Sequence, residues 1–486
     1  MKLLLRSFLV TMLVVSGCRD KKSNQQSSEG KASSNEQTKF NTAEEEQAYK
    51  VAFEATLWAM PAIGINSLRR GFLEMDGSGD NTINSYSKTL ISRHKAITSN
   101  NATPYITAFS DIQDGPVVLV LPAETDKGTL YGQVMDAWQH TIADVGPAGM
   151  DGGKGGKYLI LPPGYDRSQA PDSGYFIIPS TSNRISLVFR SVRKNGATEE
   201  DAYNYSQLLE MYPYTEEGDN PVTNRFDPFP VPLRSLPVYD LTLLEDISDI
   251  VNNEPVKERD QEMMAKLETI GLKKGQAFKA PEHLKKALIQ GVQDANAHMH
   301  DLVWKLHNDN LYWPDRNWCM VMIPDREGGF DFVTDGKVDI EKRAAAWNFF
   351  TIYPNKLTEN PGTVYLAPVA DKDGNALEAG KTYKVNVPTN MPAKQFWSIT
   401  VYDEATWAFN DNPENVNGLG TFQLDKMVKN DDGSVTIYIG PKAPEGLSNN
   451  WIPTFNTRPY IWLRLYGPTE AFLNKSFVMP DFELVE

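Results

Sequence analysis

Asp136-Ala-Trp138-Gln-His140 sets a carboxylate, an indole and an imidazole at every second position. On a strand, a period of two turns all three side chains to one face, with Asp136 and His140 about 7 Å apart. Asp144 follows four residues on, just before a turn at Gly146. A carboxylate beside an imidazole is the smallest set that does acid–base work or grips a metal ion. Such a neighbour also raises the histidine pKa. Asp136, His140 and Asp144 are therefore the candidate catalytic group, with Tyr105 and Lys157 as a candidate ligand-binding rim. A second reading is structural: the aspartates satisfy backbone amides at strand ends while His140 packs on Trp138.

Other clusters point to less chemistry. The loop Asp151-Gly-Gly-Lys154-Gly-Gly-Lys157 lacks the Ser/Thr and the glycine spacing of a nucleotide P-loop. It precedes a strand rather than a helix, so no helix N-terminus is offered to an anion. It reads as a tight loop with two lysines, and binding of an anionic ligand by them stays open. His298, His300 and His307 share one expected helix without the three- or four-residue spacing of paired metal ligands. Asp371-Lys-Asp373-Gly-Asn375 has its glycine too early for a calcium loop and no acid at the twelfth position. No Gly-x-Ser-x-Gly, His-Glu-x-x-His or dinucleotide fingerprint occurs. No cofactor and no metal are expected. Cys319, in the apolar run Trp318-Cys319-Met320-Val321-Met322, reads as a buried, inert thiol.

The C-terminal third carries a further polar and aromatic set. Alternation over 396–402 puts Trp397, Ile399 and Val401 on a core face. Phe396, Ser398, Thr400 and Tyr402 face the other way and are able to line a cleft. Tyr402, Asp403, Trp451 and Arg464 are the candidate ligand-binding residues here.

The chain begins with an address. Lys2 and Arg6 precede an apolar run, Ser7 to Val15, far shorter than the ~20 residues a membrane-spanning helix needs. Val15-Ser16-Gly17 then stands before Cys18. This reads as a signal peptide and resembles the bacterial lipobox type; the resemblance implies cleavage before Cys18 and lipid on that residue, the other reading being an ordinary signal peptide with an incidental Cys18. Cleavage removes two positive charges and takes the net charge from −15 to −17. Residues 19–43 are too polar to offset their ordering entropy and form a tether, with an r.m.s. reach of about 25–30 Å. The acidic body argues against nucleic acid as a partner.

The 486 residues suffice for two or three domains. Thr42 with Glu45 starts a helix that is expected to stop near Pro61. Apolar runs at 116–122, 158–161, 175–178 and 185–189 read as strands. A helix follows Thr198 and is expected to end near Pro213. Residues 213–237 are a proline-rich linker or wrapping loop, and 240–311 reads helical. Strands return at 396–402, 434–439 and 460–466, with Asp373-Gly374 and Asp432-Gly433 as hairpin turns.

These segments carry a resemblance. Gly146 to Tyr165, with Asn100-Asn101-Ala102-Thr103-Pro104-Tyr105, Asp111 and Gly115-Pro116-Val117-Val118, resembles the domain-of-unknown-function family numbered 1254. Pro392 to Asp403, Asp432-Gly-Ser-Val, Gly440-Pro-Lys442-Ala-Pro444, Asn450-Trp451-Ile-Pro453-Thr454 and Leu463-Arg464-Leu-Tyr466-Gly-Pro468 resemble its partner family numbered 1214. The resemblance implies a mainly β, multidomain α+β chain. Its parts are a signal peptide (1–17), a lipidated cysteine with tether (18–43), an N-terminal β-sandwich (44–236), a helical segment (237–345) and a C-terminal jelly-roll-like β-sandwich (346–486). No activity comes with either family. The expected function is a membrane-anchored envelope lipoprotein, at the periplasmic side or cell surface, that binds a glycan or small ligand. The alternative is an envelope hydrolase or lyase using the Asp136/His140/Asp144 group.

Overall fold

A 31-residue helix, α1 (Ala43–Leu73), opens the body. Thr42 caps it, its hydroxyl accepting from the Glu45 amide at 3.1 Å. The computed structural model describes residues 40–358 and 361–485. Cys18, the signal peptide and residues 19–39 of the tether lie outside them. The expected stop at Pro61 does not occur, and Pro61 sits inside α1. Proline there forfeits the amide bond to the Leu57 carbonyl. Burial of nearly every residue from Ala55 to Ser67 outweighs that loss. Helix choice here is made by tertiary packing rather than by propensity.

The N-terminal sandwich follows. Its larger sheet orders the strands Asn224–Phe226, Thr82–Ser85, Tyr105–Asp111, Arg184–Arg193, Gly128–Asp136 and Thr141–Val145. Its smaller sheet orders Glu210–Pro213, Val117–Leu121, Gly156–Leu161 and Phe176–Pro179. Ile106, Leu130, Leu187 and Phe189 from the first sheet pack on Val117, Leu119, Tyr158 and Ile160 from the second. Helix α2 (Glu199–Ser206) starts at Thr198 with a full capping box to Asp201. It stops short of Pro213, because 210–213 extends to join the smaller sheet. The proline-rich segment wraps back, adding 224–226 to the edge of the larger sheet.

The helical segment supplies α3 (Leu241–Asn253), α4 (Gln261–Thr269), α5 (Lys285–Asn308) and α6 (Ile340–Phe349). Helix α1 packs against all four. The last third folds into two more sheets. One contains Trp318–Met320, Thr363–Pro368, Pro459–Pro468 and Ala393–Asp403; the other contains Trp451–Pro453, Val435–Gly440, Thr382–Val387 and Glu483–Val485. A short helix, α7 (Glu470–Leu473), follows the long strand 459–468. Trp397, Ile399, Val401, Leu463 and Leu465 meet Val385, Ile437 and Ile439 in the core between these sheets. Asp432-Gly433 makes its tight turn, the Asn430 amide bonding the Ser434 carbonyl at 2.8 Å. Asp373-Gly374 turns the chain between strands of different sheets rather than within a hairpin.

Residues 42–486 form one compact unit. The larger sheet of the first sandwich turns its second face toward the larger sheet of the other. Strand alternation shows this directly. Ile106, Leu187 and Phe189 point into the first core, while Tyr105, Val188 and Arg190 point at the second sandwich. Likewise Val364, Leu463 and Leu465 are core residues, while Thr363, Tyr365 and Tyr466 point back at the first.

Candidate functional site

Asp136 and His140 meet, but not along a strand. The strand ends at Asp136, and residues 137–140 form a tight turn closed by Asp136 N–H to the His140 carbonyl at 2.9 Å. Gln139 takes a left-handed φ of 58° in it. The fully buried Asp136 carboxylate organises the turn. One oxygen accepts from the Trp138 and His140 amides at 2.8 and 2.9 Å. The other accepts from the Thr181 hydroxyl at 3.0 Å and lies 3.8 Å from Lys257. His140 Nδ1 is 3.6 Å from that oxygen, and its Nε2 is 2.6 Å from Asp331.

Two carboxylates thus bracket one imidazole. Burial works against its charge, yet Asp136 and Asp331 outweigh burial and raise the His140 pKa to about 9. Despite its own burial Asp136 is held below the ordinary carboxylate value, chiefly by His140. His140 is therefore an imidazolium at neutral pH with both nitrogens facing carboxylates. A general base needs a pKa near working pH and a free nitrogen, and His140 has neither. The same turn is tied on several sides. Gln139 donates to the Pro61 carbonyl of α1 at 2.5 Å, and Thr141 donates to the Tyr353 carbonyl at 2.8 Å. Trp138 meets Trp58 edge to face at 5.0 Å. This is a fastening between sandwich, α1 and the segment 325–353.

Asp144 and Lys157 stand elsewhere. Asp144 accepts from Gln133 at 3.0 Å on the neighbouring strand. Lys157 belongs to the smaller sheet and pairs with Glu217 at 2.6 Å. The Gly/Lys loop is shaped by Asp151, which accepts from the Gly146 and Gly155 amides and the Tyr158 hydroxyl. Trp451 donates to the Gly440 carbonyl, and Asp403 caps the Ala405 amide. Cys319 is fully buried, and burial pushes its thiol up to about 12. His300 stacks on Trp407 at 4.4 Å and faces Glu404 at 3.3 Å. Among the described residues, no group of three or more His, Cys, Asp or Glu side chains is placed to hold a metal ion.

Asp144 and Tyr105 do share a site. They line a cavity of about 320 Å³ between the two facing sheets, together with Tyr131, Arg190, Tyr365 and Tyr466. That is at the low end of the roughly 300–1,000 Å³ range of small-molecule pockets. Met322, Phe350 and Ile352 give it apolar wall, and the exposed Lys356, Thr358 and Gln395 mark its solvent side. Register builds the polar wall. Arg190 is flanked across the sheet by Tyr105 on one strand and Tyr131 on the other. On the opposite sheet Tyr365 lies beside Arg464, and Thr363 beside Tyr466.

The seam beside the cavity is made from the segments that carry the family resemblance. Asn100 donates to the Tyr466 hydroxyl at 2.7 Å. Buried Arg464 donates to the Thr98 and Ser99 carbonyls at 2.9 and 3.3 Å, and Tyr402 donates to Ser99 at 2.6 Å. Tyr402 and Arg464 are thus joints between sandwiches. The face Phe396, Ser398, Thr400 and Tyr402 is covered by the first sandwich, and Phe396 and Tyr466 pack on Ala102.

The family comparison agrees with this two-part construction. Residues 81–213 match the model "Protein of unknown function (DUF1254)" and residues 362–470 match "Protein of unknown function (DUF1214)". The two matched regions are similar to those two families. None of the curated proteins matches it. A crystal structure of a Vibrio parahaemolyticus protein is similar, with 19% identity over 90% of this chain and 100% of that one, at a TM-score of 0.51. A Burkholderia cenocepacia protein structure has 12% identity over 91% and 96%, at 0.41. The first likeness extends to the fold alone. The cavity lies between the DUF1254 and DUF1214 regions, with walls drawn from both. Sequence reasoning missed Arg190, Tyr365 and Asp331. For Arg190 and Tyr365 the available signal was a place on the non-core face of a strand.

Proposed function

We propose that this protein is a cell-envelope lipoprotein, anchored through Cys18, that binds a small molecule in the cavity between its two sandwiches. The observation that carries the reading is that cavity, walled by both domains and offering a few converging polar groups among apolar ones. The binding reading is preferred to a hydrolase or lyase because His140 is charged and flanked by a carboxylate at each ring nitrogen.

The anchor and the binding are tested separately. Cys18→Ser is expected to move the protein from the membrane fraction to the soluble one, since acyl chains at ~0.8 kcal/mol per buried CH₂ dominate the attachment. Unchanged membrane association refutes the anchor. For binding, protein starting at Ser23 is equilibrated with an envelope small-molecule extract and gel-filtered, and the retained molecules are identified by mass spectrometry. A stoichiometric ligand is expected, absent from Thr363→Trp, which fills the cavity. Equal retention by that variant places binding outside the cavity.

A further inference from the structure

The polar wall of the interdomain cavity centres on Arg190, ringed by tyrosine hydroxyls, with Asp144 the one carboxylate on it among the described residues. Arg190 is half-buried in the cavity wall, where the charges and dipoles acting on it come from Tyr105, Tyr365 and Tyr466 rather than from any carboxylate. Its guanidinium carbon stands 5.6 Å from the Tyr105 ring centre. Among the described residues Arg190 has no ion-pair partner. The tyrosines add more donors. The Tyr105 hydroxyl accepts from the Asn100 amide at 3.2 Å, and the Tyr466 hydroxyl accepts from the Asn100 side chain at 2.7 Å. Each therefore keeps its own proton, with no acceptor for it among the described residues. A second buried cation stands behind this wall. Arg464 lies 5.5 Å from the Tyr365 ring centre, and its Nη1 has no partner. Burial would push the Tyr365 hydroxyl up, but Arg190 and Arg464 outweigh it and hold it below the ordinary phenol value.

A half-buried cation with no paired carboxylate is left under-compensated, and the unpartnered Nη1 of buried Arg464 behind it adds to that. An anion placed among them satisfies both. We propose that the cavity binds an organic monocarboxylate, its carboxylate gripped by Arg190 and the Tyr105 and Tyr466 hydroxyls and its body along Met322, Phe350 and Ile352. This deepens the small-molecule reading and rests on it. A carboxylate suits a planar guanidinium, which it meets through two parallel bonds. A phosphate site draws on helix N-termini or backbone nests, and the cavity wall is made of strands and loops. Asp144 on the same cavity disfavours a second negative charge.

The test uses the folded protein starting at Ser23 and titration calorimetry at neutral pH. The probes are acetate, benzoate and 3-phenylpropionate, the matching neutral amides, and inorganic phosphate. Carboxylates are expected to bind at least about tenfold more tightly than their amides, the preference vanishing in Arg190→Gln. Arg190→Lys keeps the charge but not the paired geometry, and is expected to weaken carboxylates about tenfold; it serves alone should Arg190→Gln fail to fold. Equal binding of carboxylates and amides overturns the anion site and leaves the small-molecule reading standing. Tighter binding of phosphate overturns the carboxylate class. No binding by carboxylate or amide overturns both. A tyrosinate absorption band at neutral pH, lost in Tyr365→Phe, also overturns the proposal, because the protein then supplies its own counter-charge.

Discussion

At the scale of single residues, His140 shows how a titratable group becomes a fastening. Its pKa, raised to about 9, exceeds the ~6.5 of an unfolded chain. The stability it contributes is fully present below pH ~6.5 and is lost as pH rises through about 9. The wild type is expected to lose melting temperature over that interval, and His140→Gln to lose much of that slope. An unchanged slope in the variant sinks the assignment of the charge to His140. The pair Asp136/His140 was legible in the sequence, but its geometry was not. Alternation suggested a strand, whereas Asp136 turns its carboxylate back onto the Trp138 and His140 amides. Asp331 was out of reach of any local pattern, because it lies 191 residues beyond His140 and only the tertiary fold brings them together. Arg190 stands just past the apolar run 185–189 and points away from its own core, and only the second sandwich makes that face a cavity wall.

At the scale of elements, the strands were legible and the long helix was not. Apolar runs such as 117–121 identify strands because burial on both faces leaves no polar position to confuse the pattern. Pro61 misled because proline is a local signal, while the extent of α1 is decided by what packs on it. Helix α5 makes the same point through a glycine. A Cβ on Gly291 would stand 2.4 Å from the Tyr49 carbonyl and 3.0 Å from the Ala52 Cβ of α1. In an isolated helix Gly→Ala stabilises by about 1 kcal/mol. Here the contact is with backbone, which cannot swing aside, so the crossing must open. Gly291→Ala is expected to destabilise by about 1–3 kcal/mol, the range of overpacked cores. Denaturant titration measures it, and a gain in stability would show that the two helices separate freely.

At the scale of the whole molecule, two sandwiches share one buried seam, and the fold is best understood as four sheets in sequence rather than two separate domains. Each larger sheet has a core face and a seam face, which is why the strand Pro459–Pro468 is buried at nearly every position. The seam face of the second sandwich carries Tyr402, Tyr460, Trp462 and Arg464, all fully or almost fully buried. Tyr402 and Arg464 find their partners at Ser99 and Thr98 of the first sandwich, and Lys95 donates to the Phe409 carbonyl at 2.8 Å. Separation would expose those rings and strand a buried guanidinium without its carbonyls, a loss of several polar contacts and a large apolar area at once. The two sandwiches are therefore expected to unfold together. Circular dichroism reports the sheets of both halves. Tryptophan fluorescence is weighted to the second, which holds Trp397, Trp407, Trp451 and Trp462. Coincident midpoints in urea are the expected result. The same reasoning predicts that residues 310–486 alone are insoluble or aggregate, because the seam face would become an exposed aromatic patch. Two separated transitions, or a soluble monomeric 310–486 fragment, would show that the seam is a loose contact. The interdomain cavity would then be a gap between independent domains and not a built site.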